Sequence, residues 1–130
     1  MSKWKWLHLD TAEVVHNEQL AEHGGGEGVR DPGALLSALA RPQNLAAYGD
    51  PDPDAAALAA AYAFGVAKNY PFIDGNKRTA WVLARLFLAK NAVALEFKDA
   101  EAVVVMLALD SGEISETELA AWLRERIAAT

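Results

Sequence analysis

The chain has 130 residues, of which 52% are hydrophobic, and its formal net charge at pH 7 is −6. That length fits one domain, residues 1–130, with ample apolar material for a core. An acidic chain is a poor candidate for direct DNA binding, since that affinity depends on neutralising phosphates. The absence of cysteine excludes disulfides and thiolate metal sites. Without a run of ~20 apolar residues or a signal peptide, we expect no membrane association and a cytoplasmic location.

The N-terminal half predicts an extended segment and then three helices. Residues 3–9 alternate in character, which places the two tryptophans of this stretch on one face of an extended segment. The helices are predicted over residues 10–23, 31–41 and 54–68. Acidic N-caps open the first two, at Asp10 and Asp31, and the second is expected to end before Pro42. The third is rich in alanine, which has the highest helix propensity.

The C-terminal half predicts three further helices, over residues 76–90, 99–109 and 115–128. Residues 93–97 are predicted to form either a short strand or an extended link. Ser115 and Glu118 form a capping-box pattern at the start of the last helix. About six helices and little sheet make the predicted fold class all-α, a compact bundle in which a loop at residues 70–75 joins two central helices.

One segment stands out for the density of its polar and charged side chains: residues 69–80, which read NYPFIDGNKRTA. This segment is predicted to lead into a helix N-terminus, where unpaired N–H groups and a partial positive charge favour an anion. Gly75 lets the backbone approach a ligand, and Asn76, Lys77 and Arg78 add donors. Basic residues so early in a helix oppose its dipole by ~0.3–1 kcal/mol each, and a bound anion would remove that conflict. The pattern therefore indicates a phosphate site.

Asp74, just before this helix, is a candidate ligand for a magnesium ion shared with phosphate oxygens. The alternative is an ordinary turn, in which Asp74 caps the helix and Lys77 and Arg78 are solvated. A P-loop is excluded, because the segment lacks the upstream glycine and the Gly-Lys-Ser/Thr order.

The histidines and the other acidic residues form no recognisable metal motif. His8, His16 and His23 lack the carboxylate or cysteine spacing of a metal site. His16 and His23 are predicted to lie on one face of the first helix as surface or interface residues. The three aspartates between positions 50 and 54 alternate with proline, and a solvated loop is favoured there over a calcium loop.

The stretch from Tyr70 to Ala80 resembles the signature of the Fic/Doc superfamily, which in its Doc branch reads His-x-Phe-x-Asp-Ala/Gly-Asn-Lys-Arg-Thr-Ala. The matching positions are Phe72, Asp74, Gly75, Asn76, Lys77, Arg78, Thr79 and Ala80. Lys77 stands where Fic proteins have glycine, and Trp81 where they have a second arginine. Both differences favour the Doc branch. The resemblance extends to residues 16–25, 29–31, 38–48 and 111–115.

The resemblance implies a Fic/Doc-type helical bundle and a role for each residue of the motif. Position 70 is the site of the general base, and Phe72 anchors the loop in the core. Asp74 is catalytic, as a ligand of Mg²⁺ or by orienting the nucleophile. The residues implied in binding nucleotide phosphate are Gly75, Asn76, Lys77, Arg78 and Thr79. Lys77 and Arg78 would also neutralise charge in the transition state.

The resemblance further implies a kinase toxin of a toxin–antitoxin pair. Doc toxins transfer a phosphate from ATP to a threonine of translation elongation factor Tu, which blocks translation, whereas Fic proteins transfer AMP. In the Doc branch, Lys77 and the missing second arginine accompany a reversed nucleotide that places the γ-phosphate at position 70. The implied partner is an antitoxin, whose tail folds as a helix into a surface groove. Trp4 and Trp6 are candidates for part of that surface, unless they pack on the chain's own core.

The sequence departs from the motif at position 70, where tyrosine replaces the catalytic histidine. Histidine suits a general base because its ordinary pKa of ~6.5 lies near working pH, whereas that of tyrosine is ~10. Losing a general base typically costs ~10²–10⁴ in rate, so this form is expected to be inactive. Two explanations are open, a degenerate family member that only binds its antitoxin and a deliberate inactivating change. The otherwise intact motif favours the second, while AMP transfer is the alternative parent activity.

Overall fold

The described residues, 3–49 and 51–128 of a computed structural model, form six helices. In chain order these are α1 (Leu9–His23), α2 (Pro32–Tyr48), α3 (Ala55–Asn69), α4 (Asn76–Lys90), α5 (Asp99–Ser111) and α6 (Glu116–Arg126). The β-bridges found in these ranges are isolated and extend into no strand. The predicted all-α class is therefore confirmed.

Helix α3 lies at the centre and packs against α2, α4, α5 and α6. Its many alanines have small side chains, so neighbouring helices can approach its backbone closely. A Cβ added to Gly65 would lie 3.1 Å from the Cα and Cβ atoms of Ala38 in α2, which explains the glycine at this crossing. Most residues of α3 are buried.

None of the helices in the described ranges has the length and hydropathy to cross a membrane.

Helix α2 continues beyond Pro42, so the prediction that it ends before this residue is wrong. Proline inside a helix removes a backbone hydrogen bond and costs ~3 kcal/mol or more. Continuing the helix, however, buries Pro42 and packs Leu45 and Ala46 against the core. Burial stabilises a large apolar side chain by ~1.5–3 kcal/mol, which offsets the lost bond.

Local signals account for most of the remaining helix boundaries. Side-chain caps begin three helices, at Asp31, Asp54 and Ser115. Helix α4 has the predicted bounds, while α5 and α6 differ from theirs by a few residues, as helix ends commonly do. The prediction that Asp10 is the N-cap of α1 is wrong, because His8 is the N-cap and Asp10 lies within the first turn.

The N-terminal extended segment lies against the C-terminal part of α4. The rings of Trp4 and Trp6 lie with their centroids 5.9 and 5.7 Å from that of Phe87. The side-chain amide of Asn91 also bonds both the backbone N–H and the carbonyl of Lys5. Both tryptophans therefore pack on the chain's own core, and the structure gives no support to the expectation that they form a partner surface.

Residues 93–97 form an extended link rather than a strand. Leu95 makes a single antiparallel bridge with Ile127, just after α6. Flanking backbone bonds join Glu96 N to Arg126 O at 2.8 Å and Ala128 N to Ala94 O at 2.9 Å. The link thus ties the end of the described chain to the α4–α5 connection.

Asp54 caps α3 and also joins it to α6. Its carboxylate accepts from Arg124 Nε at 2.6 Å and from Arg124 Nη2 at 3.0 Å. The hydrogen bond from Arg124 holds the pKa of Asp54 below its ordinary value. Because the pair stabilises only the charged carboxylate, its contribution is present above pH ~4 and is lost as the pH falls through the lowered pKa.

We predict that Asp54→Ala lowers the free energy of unfolding by ~1–2 kcal/mol at pH 7, mostly through the lost cap, since the ion pair is half exposed. Urea unfolding measures this, and the difference should shrink below pH 4. Asp52→Ala is the matched control, because Asp52 is an exposed carboxylate of the same loop, and it should change stability by less than ~0.5 kcal/mol. Equal effects of the two substitutions would contradict the capping role.

Tyr62 of α3 anchors the N-terminal segment through a hydrogen bond. Its wholly buried phenol accepts a hydrogen bond from the backbone N–H of Leu7 at 3.0 Å. Burial raises the pKa of Tyr62 to about 12. The folded protein therefore holds the phenolic proton more tightly than the unfolded chain does. This contribution is present below pH ~10 and is lost as the pH rises towards the folded-state value.

We predict that Tyr62→Phe lowers the free energy of unfolding by ~1–3 kcal/mol near neutral pH, since it leaves the Leu7 N–H without an acceptor. The parent then loses stability faster than the variant between pH 10 and 11.5, so the difference between them narrows. Urea unfolding of both proteins at a series of pH values measures the trend. A difference that stays constant over this range would show that Tyr62 does not carry the effect.

Candidate functional site

The loop between α3 and α4 begins at position 70 with a residue in the left-handed backbone conformation. Tyr70 has φ 47° and forms the C-cap of α3. Arg30 holds this turn, with Nε donating to the carbonyl of Tyr70 at 2.6 Å and Nη2 donating to that of Asn69 at 2.7 Å. The side chain of Tyr70 is 46% exposed. Position 70 is thus fixed by its backbone while its ring faces the surface.

A pair of hydrogen bonds closes the loop between Phe72 and Asn76. The side-chain Oδ1 of Asn76 accepts from Phe72 N, and its Nδ2 donates to Phe72 O, each at 3.0 Å. The Phe72 ring is buried, as expected for the residue that anchors the loop. Asn76 was expected to bind phosphate, but its side-chain amide is engaged within the loop. Its backbone N–H, at the start of the helix, is the group that has no acceptor within the helix.

A second set of backbone bonds joins the loop to the segment before α2. The carbonyl of Pro71 accepts from the N–H groups of Arg30 and Asp31, at 2.7 and 3.1 Å. Ile73 N donates to Gly28 O at 3.1 Å, and Val29 and Phe72 form an isolated antiparallel bridge. Residues 28–31 therefore support one side of the loop along its length.

His16 lies beneath the loop, so its prediction as a surface residue is wrong. Its side chain is 2% exposed and stacks on Phe72, with ring centroids 3.8 Å apart and planes 9° apart. Nε2 lies 2.8 Å from the carbonyl of Asp74 and must carry the hydrogen, because a carbonyl only accepts. Ala12 and Val15 share this buried face of α1, and that spacing was the signal available in the sequence. His23, by contrast, is exposed.

Helix α4 begins without a side-chain cap and without an acidic residue in its first turn. Gly75, with φ 78°, is the N-cap, and the first bond of the helix runs from Thr79 N to Gly75 O at 3.0 Å. The N–H groups of residues 76–78 precede that bond and so have no acceptor within the helix. Asp74 does not cap the helix, since Oδ1 of its side chain accepts from the adjacent Gly75 N at 2.8 Å. The alternative that made Asp74 the N-cap is therefore wrong.

Four side chains meet at the end of α5, around a carboxylate that the sequence analysis missed. Asp110 Oδ2 lies 3.6 Å from Lys77 Nζ, and Oδ1 accepts from the hydroxyl of Tyr70 at 3.4 Å. Its backbone carbonyl accepts from Lys68 Nζ at 3.0 Å. The available signal was an aspartate directly after the predicted helix 99–109, where a negative charge opposes the helix dipole. Position 70 and the start of α4 thus share one acidic neighbour.

The remaining predicted residues differ in their access to a ligand. Arg78 is exposed on the first turn of α4, as is Lys77. Thr79 is wholly buried, and its hydroxyl has no hydrogen-bond partner among the described residues. Its N–H is used by Gly75, so neither group of Thr79 reaches a phosphate in this arrangement. In the described part of the chain, no three His, Asp or Glu side chains form a metal cluster.

The fold and the loop together define a class of protein: a small helical bundle with an anion-site geometry at the start of one central helix. A sequence model of the Fic/DOC family matches residues 6–88, which include α1 to α3 and nearly all of α4. The chain therefore belongs to the Fic/Doc family.

Two relatives carry Doc names. The chain is 33% identical to the protein kinase Doc of Escherichia phage P1 over 119 residues, which cover 90% of this chain and 93% of that protein. It is 42% identical to toxin Doc of Mycolicibacterium smegmatis over 88 residues, which cover 68% of this chain and 67% of that protein. The similarity to the phage protein spans nearly the whole of both chains, so it extends well beyond the motif.

We predict that His16→Phe, which keeps a ring against Phe72 but removes the bond to Asp74 O, lowers the free energy of unfolding by ~1–3 kcal/mol. Urea unfolding measures the loss, and amide chemical shifts should change mainly at residues 72–76. His23→Phe is the control, because it alters the exposed histidine of the same helix and should change stability by less than ~0.5 kcal/mol. Shifts confined to α1, with the loop unchanged, would argue against a role for His16 in holding the loop.

Proposed function

We propose that the chain is a Doc-type toxin whose parent activity transfers a phosphate from ATP to a threonine of translation elongation factor Tu. The observation that carries this proposal is the proximity of position 70 to the first turn of α4, which is basic and has no side-chain cap. Arg30 fixes position 70, and the Asn76–Phe72 bonds fix the turn into α4. A phosphate bound at α4 would therefore lie close to whatever side chain occupies position 70. The cytoplasm, which holds both ATP and the elongation factor, is the proposed location.

The phosphate would be held mainly by backbone N–H groups and cations. The N–H groups of residues 76–78 and the Lys77 and Arg78 side chains are the donors in this arrangement. Gly75 suits the turn before these donors, because its φ of 78° favours glycine. Such preorganised donors stabilise charge that develops during transfer without having to reorganise. We therefore assign the phosphate contacts to the N–H groups of residues 76–78 and to the Lys77 and Arg78 side chains, with Gly75 forming the turn and Thr79 in a packing role.

Magnesium fits this site with Asp74 as its protein ligand. Magnesium usually keeps several waters and takes one or two carboxylates together with substrate phosphates. Asp74 supplies one exposed carboxylate directly before the phosphate-binding turn, and Gly75 N and Gly26 N, at 2.8 and 3.4 Å, restrain its oxygens. When bound, the ion would neutralise phosphate charge.

Tyr70 explains why this form would be inactive although the rest of the site is intact. The reaction requires a base to take the proton from the threonine hydroxyl as it attacks phosphorus. Histidine accepts such a proton near neutral pH, whereas a phenol is ordinarily protonated there. The hydroxyl of Tyr70 also donates its hydrogen to Asp110, a bond that only the protonated phenol can make. The proposed remaining function of the chain is binding to an antitoxin, through helix surfaces that a change at position 70 does not alter.

We predict that Tyr70→His restores labelling of elongation factor Tu by ~10²–10⁴-fold and stops growth of the host. The fold should tolerate the change, because histidine is among the residues enriched in left-handed conformations. Labelling is followed with ATP carrying radioactive γ-phosphate, and Tyr70→Phe is the matched control that keeps a ring without a base.

The outcome separates the proposed function from its alternatives. Label that appears only from α-phosphate would replace phosphate transfer by AMP transfer. A folded Tyr70→His variant that neither labels the factor nor slows growth would reject the kinase assignment and leave the antitoxin-binding module.

A further inference from the structure

Asp110 and Lys77 are both placed against the dipoles of their own helices. Lys77 lies in the first turn of α4, at the positive end, and Asp110 lies in the last turn of α5, at the negative end. Each placement is unfavourable by itself. The two side chains offset this by pairing, with 3.6 Å between Lys77 Nζ and Asp110 Oδ2. The lysine of the motif is therefore paired with a carboxylate of the same chain.

The carboxylate is held at this position by several contacts. Lys68 bonds the backbone carbonyl of Asp110, and the Tyr70 hydroxyl bonds Oδ1. The Asp110 side chain is 24% exposed, whereas that of Lys77 is 45% exposed. The carboxylate is the more enclosed member of the pair, so Lys77 is the member with more freedom to move towards a ligand.

A phosphate bound at the start of α4 needs the same ammonium group that Asp110 holds. Two anions competing for one cation repel each other, and the repulsion grows with the charge of the ligand. We propose that Asp110 competes with ligand phosphate for Lys77 and thereby sets the nucleotide affinity of the site at a lower value than the α4 start would otherwise give. This inference rests on the proposed function, because it presumes that nucleotide phosphate binds at α4.

The test is calorimetric titration of the full chain with ATP and magnesium. Asp110→Asn removes the charge and keeps the shape, and it should tighten ATP binding roughly two- to fivefold, the range expected for a partly exposed ion pair. Asp99→Asn is the matched control, since it makes the same substitution and the same change in net charge at the other end of α5. The control should leave the affinity unchanged.

A double-mutant cycle assigns the effect to Lys77. In a Lys77→Met background, Asp110→Asn should tighten ATP binding less than in the parent background, because only the direct repulsion between the carboxylate and the phosphate is then relieved. An equal gain in both backgrounds would reject competition for Lys77. Asp110→Ser provides a second neutral variant, and circular dichroism checks that each protein is folded. The gain should be smaller with inorganic phosphate than with ATP, since the smaller ligand carries less charge.

The possible results separate this inference from the proposed function. If parent and Asp110→Asn bind ATP equally, the competition is rejected while the nucleotide site stands. The competition is also rejected if Asp99→Asn tightens binding as much as Asp110→Asn does, since net charge alone would then account for the effect. If no variant binds ATP at millimolar concentration, the phosphate site falls, and the competition falls with it.

Discussion

The rest of the site depends on two hydrogen bonds made by the side-chain amide of Asn76. It bonds both backbone groups of Phe72, and so closes the loop at the point where α4 begins. This closure leaves α4 to start at Gly75 with its first N–H groups directed outward. It also keeps the buried Phe72 ring over His16, which in turn holds the carbonyl of Asp74. Without the closure, neither the helix start nor the Asp74 carboxylate would have a fixed direction.

The backbone at position 70 is held by a residue far from it in the sequence. Arg30 bonds the carbonyls of residues 69 and 70, where the left-handed backbone ends α3. Tyrosine stands at position 70 while Phe72 and Asn76 keep their contacts with each other. The scaffold of the loop is therefore intact with this side chain in place.

The sequence predicted those features that depend on neighbouring residues. Caps, alanine content and apolar spacing predicted the six helices, and α4 has the bounds expected of it. Local rules failed at Pro42, because burial of the apolar side chains at and after the proline offset the loss of one hydrogen bond. They also failed at His16 and Asp110, whose partners lie far away in the chain. His16 contacts the loop 58 residues later, and Asp110 meets Tyr70 40 residues earlier, so no local pattern contains those contacts.

The N-terminal segment has a consequence for the order in which the protein can be completed. Lys5 is bonded by Asn91, 86 residues later, and Trp6 by Lys90, 84 residues later. In a chain made from its N-terminus, the contacts of both tryptophans with Phe87 and the backbone bonds of Lys5 and Trp6 to this region could form only after α4 had emerged from the ribosome. The anchoring of the N-terminus and the start of α4 would then form late in synthesis, and Asp110 would join them only after a further helix. A nascent chain of this family member would therefore carry its motif for some time before it had a finished site.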